Sequence, residues 1–444
     1  MNDARLLVAL VNTAASGGGA QAAARQLTDG LRKRDQDAWL LVGRGEPEGA
    51  LTLPFPSDVR TRVAHLLAGP LRLLDRARGI ETWHYPASAR MLEALPRAPD
   101  LVHLHNLHGG YFDLREIPRL ARAFPVAMTL HDAWLLSGHC AHSMGCDRWK
   151  TGCGSCPDLD IYPAVRRDAT RENWLRKREI FRQSRLHVAV PSQWLAQRVE
   201  KSILTPAIKE LRVIPNGVDL ATFRPGDREA ARARHGIAPD ELVLLFVGPT
   251  GGKGGFKDFP TAEEAAARAA ELLDRDVTLI VLGESERGRR RGRATIRTVP
   301  FEGGRAAVAS WYRAADLHLH ATRADTFPTT VLEALATGIP VVATGVGGIP
   351  EQVRGLAGPW APVSGADVGG PLEGPGAATG ILVPEGDAEC MARALAHLLA
   401  DESLRRTLGR NARRDAELRF DETLQIDRYL EWFREIVAER RGAR

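Results

Sequence analysis

Residues Leu6–Val42 read LLVALVNTAASGGGAQAAARQLTDGLRKRDQDAWLLV. Leu6–Val11 is an unbroken apolar run of strand length. Asn12–Gly19 is small, polar and glycine-rich, and Ala20–Arg34 is dominated by good helix formers. Ala38–Val42 (AWLLV) is a second strand. Strand, glycine loop, helix and strand make a βαβ unit, which requires parallel strands with helices on their faces. Beyond this unit, Leu101–His105, Val126–Leu130 and His187–Val190 are further short apolar strands separated by helix-length segments. One doubly wound domain is expected over residues 1–205.

Residues 206–225 contain LRVIPNGVDLATFRP, where Pro215, Asn216 and Gly217 mark a turn, and read as a linker. A second α/β series, residues 226–418, has strands at Leu242–Val247, Val277–Leu282, Arg297–Val299, Leu317–His320 and Val341–Ala343. Helices are expected at Thr261–Leu273, Thr330–Ala336 and Ala388–Ala400. Residues 355–380 are Gly/Pro-rich without periodicity and read as a mobile surface loop. Residues 419–444 form a terminal helix with Ile426, Leu430, Phe433 and Val437 at i, i+4, i+7 and i+11, a stripe that must bury against something. Two doubly wound domains leave a cleft at the carboxyl ends of their strands, where ligands bind in such sheets.

The chain has 444 residues, 44% hydrophobic and 26% charged, which excludes a wholly disordered protein. No apolar run reaches the roughly 18 residues of a membrane span. The first apolar stretch lacks a basic start and is too short for a signal-peptide core, so a cytoplasmic location is expected, extending to the inner face of the membrane. A net charge of +5 is too small to argue for nucleic-acid binding. Arg60–Arg78 (RTRVAHLLAGPLRLLDRAR) is basic and leucine-rich. Of two readings, peripheral membrane contact or a helix covering the acceptor cleft, the general tendency of amphipathic helices to pack on their own domain favours the second.

The chemistry concentrates in Arg323–Glu351, RADTFPTTVLEALATGIPVVATGVGGIPE. Asp325 sits on a loop after a strand. Thr329 and Thr330 precede a helix, with Thr329 as N-cap, and a helix start is a ready anion site. Glu333 lies one turn in. Two carboxylates eight residues apart, flanking amide donors, suit a ligand bearing both hydroxyls and phosphate. A dipole-favoured acidic helix start is the plainer alternative.

This stretch resembles the donor-binding motif of GT-B glycosyltransferases of family 4, in which an acidic pair spaced E-x7-E precedes a Gly/Pro-rich strand and turn. Here Asp325 replaces the usual first Glu. The resemblance implies that Asp325 holds donor-sugar hydroxyls, Glu333 the ribose, and Thr326, Phe327, Pro328, Thr329 and Thr330 the sugar or diphosphate. It also implies an Arg and a Lys after the first strand of the second domain. In FVGPTGGKGGFKDFPTAEEA, Lys257 matches that Lys, and Lys253 is the nearest cation to the missing Arg. Only seven residues in the chain are Lys, so two within five positions are notable. Val299 and Pro300 would flank the base through their backbone.

In the first domain, Gly17, Gly18 and Gly19 correspond to the family loop that faces donor phosphate and acceptor. His131 corresponds to a His that contacts the donor sugar, and His108, Gly109, Asp132 and Trp134 line the acceptor side. His103 and His105 read as structural. TLHDAW, VHLHNLHGGYF and VAVPSQWLAQRV resemble one bacterial subgroup of the family, extending the resemblance over almost the whole chain. The implied fold is α/β of the GT-B type, two Rossmann-like domains facing across a cleft with the terminal helix packing back on the first. The implied activity is retaining transfer of a hexose-type sugar from a nucleotide-diphosphate sugar to a hydroxyl acceptor in polysaccharide, glycolipid or natural-product assembly. Catalytic roles fall to His131, Lys253, Lys257 and Asp325, with no catalytic metal. A sugar-nucleotide epimerase and a non-catalytic nucleotide-sugar sensor share the same signature.

An insert at 139–157 carries Cys140, Cys146, Cys153 and Cys156 as C-x5-C-x6-C-x2-C. Three readings stay open: a structural zinc held by four thiolates, two disulfides, or reduced thiols. Cys390 reads as core.

Overall fold

The computed structural model describes residues 5–45, 52–54, 57–249, 255–285, 288–301, 303–360 and 372–442. Among them, fourteen strands form two seven-stranded sheets. The first contains β1 (Leu7–Asn12), β2 (Asp37–Val42), β3 (Thr52–Pro54), β4 (Leu101–Leu104), β5 (Val126–Thr129), β6 (Leu186–Val190) and β7 (Ile208–Val213). Its order is β3-β2-β1-β4-β5-β6-β7, parallel throughout. The second contains β8 (Leu242–Val247), β9 (Val277–Leu282), β10 (Arg289–Arg291), β11 (Ala294–Val299), β12 (Leu317–His320), β13 (Val341–Thr344) and β14 (Gly380–Val383). Its order is β10-β11-β9-β8-β12-β13-β14, with only β10 antiparallel. The strand order reverses at β1/β4 in one sheet and at β8/β12 in the other. Those reversals open a crevice at the carboxyl ends of the strands.

The chain divides into two compact units, Met1–Pro215 with Gln425–Arg444, and Asn216–Leu424. β1 and β8 are buried along their whole length, as strands covered on both faces must be. The terminal helix, Glu422–Gly442, buries Ile426, Leu430, Phe433 and Val437 in the core of the first unit beside Leu6, Val8 and Leu27. Its approach is close: a Cβ on Gly30 would stand 2.2 Å from a methyl of Ile426.

Three expectations change. The residues read as a linker contain β7, which pairs with β6 at the edge of the first sheet. Its charges hid it: Arg212 pairs with Glu210 and Glu435, and Lys209 with Glu439, so the polar residues of this edge strand are matched by the terminal helix. The described flanks of the Gly/Pro-rich segment are anchored rather than loose. Gly355 bridges to Gly380, Leu356 bridges to Leu372, and Trp360 is buried with its indole N–H donated to Leu356 O at 2.9 Å; residues 361–371 lie outside the described residues. Finally, the Arg60–Arg78 segment does not pack as an ordinary amphipathic helix. Its helices, Val59–Leu67 and Gly69–Arg78, leave most of their leucines in solvent.

Candidate functional site

The reversal at β8/β12 places two loops side by side. Lys257, beyond β8, makes an isolated backbone bridge with Thr322, beyond β12. Its Nζ donates to Asp325 Oδ2 at 3.4 Å and lies 3.1 Å from His320 Nε2. An ammonium only donates, so Nε2 of His320 accepts and the Nδ1–H faces Thr330 Oγ1 at 3.3 Å. Burial, then the Lys257 charge, holds His320 down at about 4, so the ring is neutral at physiological pH. Burial also lowers the Lys257 ammonium from its ordinary value, against the pull of Asp325.

The Asp325 loop is held from behind. Gly348 N–H donates to Asp325 O at 3.2 Å, and Gly347 comes so close that a Cβ would fall 1.8 Å from that same oxygen. Gly347 also has φ +59°, where a side chain is strained. Further along, Phe327 O accepts from Asn216 Nδ2 at 3.2 Å, Pro328 O from Gln352 Nε2 at 3.0 Å, and Thr330 O from the Tyr312 hydroxyl at 3.0 Å. Thr326 and Phe327 are buried. The helix spans Thr329–Thr337, so Thr329 is its first residue and not its cap. Pro328 takes the cap position, and no side chain caps the first turn. Pro328 has extended ψ and no side-chain acceptor, which leaves the first-turn donors without a side-chain cap, an arrangement suited to an anion.

Glu333, one turn in, accepts from the Tyr312 hydroxyl at 3.0 Å. Burial pushes its carboxyl up to about 7, with Tyr312 opposing. Val299 is buried and Pro300 exposed; Val299 O already accepts from Gly283 and Glu284 N–H at 2.8 and 3.2 Å. Lys253 lies outside the described residues. Tyr312, His320, Asn216, Gln352 and Gly347 escaped sequence reasoning. Only the alternating LHLH of β12 carried a signal, since His318 and His320 share one face of that strand.

In the first unit, Gly17–Gly19 lead into the helix Gly19–Arg32, which no side chain caps. A Cβ on Gly17 or Gly19 would meet nothing within 4 Å. His131 and Asp132 follow β5, and His108 and Gly109 follow β4. His131 Nε2 is committed to His105 Nδ1 at 2.9 Å, and burial holds His131 down at about 4, a neutral ring. His103 is fully buried against Thr129 Oγ1 at 2.8 Å. His108 Nε2 and Asp132 Oδ2 pair at 2.8 Å; burial opposes both charges, yet the pair raises His108 and lowers Asp132. Trp134 is buried. It packs against His108 and beneath Lys177, whose Nζ stands 3.9 Å from the ring.

Cys140, Cys146, Cys153 and Cys156 line one cavity of about 200 Å³, and all four are free thiols. The soft donor set would suit zinc, but among the described residues no group of three or more His, Cys, Asp or Glu side chains is placed to hold a metal ion. The sulfurs turn to local partners: Cys153 Sγ accepts from Gly138 N–H at 3.3 Å, and Cys156 Sγ donates to Asp158 O at 3.3 Å. Burial keeps the Cys153 thiol up at about 11, against thiolate formation. Among the described residues the four cysteines are not paired in disulfides, and their sulfurs are not gathered as a ready-made metal site. Cys390 is buried in the core.

Two family descriptions match the chain, Glycosyltransferase Family 4 over residues 17–222 and Glycosyl transferases group 1 over residues 241–401. A protein provisionally named as the colanic acid biosynthesis glycosyl transferase WcaC of Escherichia coli strain K12 is 28% identical over 261 residues, 55% of this chain and 60% of that one. A D-inositol 3-phosphate glycosyltransferase of Nocardia farcinica is 29% identical over 372 residues, 79% of this chain and 70% of that one. The chain thus spans only part of the length of its curated relatives. Among solved structures, Anabaena HepE in complex with UDP and glucose superimposes with a TM-score of 0.59 at 15% identity, covering 96% of this chain and 99% of that one.

Proposed function

Because the chain belongs to the group 1 glycosyltransferases of family 4, we propose that it transfers a hexose-type sugar from a nucleotide-diphosphate sugar to a hydroxyl acceptor with retention at the anomeric carbon. The observation that carries this reading is the Lys257–Asp325 pair beside an uncapped helix start, with Glu333 one turn in. The pyrophosphate meets Lys257 and the first-turn amides. Ribose hydroxyls donate to Glu333, and sugar hydroxyls to Asp325. The acceptor oxygen bonds to the anomeric carbon on the face the leaving group departs from. The bond from that carbon to the β-phosphate oxygen breaks, and the acceptor proton passes to that oxygen. Cations and amides aimed at the departing diphosphate are the main source of rate. No step uses a metal, so turnover persists in EDTA; a loss restored by magnesium or manganese overturns that part.

The HepE neighbour was solved with UDP and glucose, and the WcaC name points to polysaccharide assembly, so UDP-glucose and oligosaccharide acceptors are the first substrates to test. Product analysis by NMR tests the reading: an α-linked product from an α-linked donor supports it. An isomerised sugar nucleotide, or an unchanged donor with every acceptor, overturns it.

Glu333 supplies a second check. A carboxylate that binds ribose must be ionised, and this one titrates at about 7. Affinity for an intact nucleotide sugar is expected to be about tenfold tighter at pH 8 than at pH 6. Glu333→Gln removes that dependence and weakens binding. The raised value has the opposite effect on the free protein: stability is fully present below the unfolded value of 4.5 and is lost as pH rises through about 7. Glu333→Gln should therefore be more stable than wild type at pH 8, by on the order of 3 kcal/mol. Equal pH profiles in variant and wild type, by calorimetry, remove Glu333 from the site.

A further inference from the structure

Amphipathic helices ordinarily turn polar residues outward. The helices Val59–Leu67 and Gly69–Arg78 do the reverse. Thr61, Ala64, Ala68, Arg72 and Asp75, spaced i, i+3, i+7, i+11 and i+14, form the covered side. That side is anchored by polar contacts. Thr61 Oγ1 accepts from Arg90 at 2.8 Å, Arg72 donates to His84 O at 3.1 Å, and Asp75 meets His84 Nε2 at 3.4 Å. The opposite side carries Val59, Val63, Leu66, Leu67, Leu73 and Leu74, with Val59 76%, Leu66 73% and Leu67 74% exposed. Among the described residues, this short segment holds half of the exposed large apolar side chains. The break between the helices, at Ala68, keeps αR backbone (φ −77°, ψ −11°), so the apolar stripe passes from one helix to the next.

An apolar face of this size needs a cover, and its charges say which. Arg60, Arg62, Arg76 and Arg78 are all exposed around the leucines. The exposed acid of the segment, Asp58, is paired with Arg90 at 2.8 Å, and Asp75 faces inward. The geometry points to a docking surface for an anionic lipid bilayer: the leucines enter the boundary between headgroups and acyl chains while the arginines meet lipid phosphates. Arginine stems reach along apolar surface and keep their heads at that level. A bilayer accepts a convex, laterally unpatterned apolar stripe, whereas a protein partner needs a matching groove and satisfied polar contacts. The inference does not depend on the transfer reaction.

The test is vesicle flotation of the full-length protein, with phosphatidylcholine vesicles against vesicles in which phosphatidylglycerol replaces a third of the lipid. Wild type is expected to float with the anionic vesicles about tenfold more than with the neutral ones, and to be released by high salt. Two variants should each lose about tenfold of that binding: L66E/L67E/L73E through the apolar term and R60A/R76A/R78A through the charge term. Every substituted residue is exposed, so melting temperature and nucleotide-sugar affinity should not move. Wild type that floats with neither vesicle overturns the proposal, as does an L66E/L67E/L73E variant that floats like wild type. A wild-type dimer that the leucine variant converts to monomer, without vesicle binding in either, assigns the face to a second copy and overturns it equally.

Discussion

Lys257→Ala lowers kcat/KM for sugar transfer by about 10²–10³-fold, the cost of removing one electrostatic group aimed at developing charge. The protein should fold as before. The Lys257 and Asp325 side chains are 21% and 25% exposed, so an unpaired Asp325 can still recruit water. The ammonium is also held below its ordinary value by burial, so its removal relieves some desolvation. In the free protein Asp325 already occupies Lys257. Donor binding therefore exchanges one anionic partner for a more highly charged one, and the pair is poised rather than idle. Asp325→Asn releases the lysine from that competition but removes the sugar contact. It should weaken discrimination among donor sugars more than affinity for nucleoside diphosphate. Steady-state kinetics with one donor, alongside a binding titration with free nucleotide, separates the two. Near-wild-type turnover in Lys257→Ala would discard the site.

The sequence carried the elements whose cause is local. Each strand at a sheet centre is a run such as LVLLFV or VTLIVL that can be nothing else at that length. The carboxylates of the proposed site were picked out by the likeness of Asp325 and Glu333 to the family's E-x7-E pair. What escaped depends on partners far along the chain. β7 reads as IKELRV, too charged for a strand until Glu435 and Glu439 of the terminal helix stand against it. Gly347 reads as one more loop glycine until it is seen against Asp325 O, some twenty residues earlier. Trp134 is core among buried neighbours, and a lysine from a distant helix, which the local motif does not reveal, is buried over its ring. The leucines of Leu66–Leu74 misled in the other direction: their periodicity located a helix but not which side it would turn to its own domain.

That buried lysine supports the second large effect. Lys177 lies on the covered face of the helix Thr170–Arg182, in phase with Thr170, Asn173, Trp174, Ile180 and Phe181, and is fully buried. Its Nζ donates to Glu81 Oε1, Trp134 O and Ser137 O, each at 3.0 Å. All three ammonium protons are thereby satisfied, which is what a lysine in this position requires. Burial still dominates both partners, lowering Lys177 and raising Glu81 from their ordinary values. Such a pair contributes little net stability but is costly to break on one side. Lys177→Met leaves Glu81 and two carbonyls buried without their donor, and should cost about 3–5 kcal/mol, or roughly 6–20 °C in Tm for a unit of this size. The double change Lys177→Met/Glu81→Leu should recover much of that loss, since two apolar side chains replace two charges. The carbonyls of Trp134 and Ser137 still lack the donor that Lys177 supplied. The consequence reaches the site. Trp134 O and Ser137 O bound the short turn Trp134–Leu136 that directly follows His131 and Asp132. The single variant should therefore lose transfer activity at temperatures where its far-ultraviolet circular dichroism is still native. Thermal melts of both variants decide it: a double variant as unstable as the single one would mean that Lys177 acts through packing on Trp134 and not through its charge.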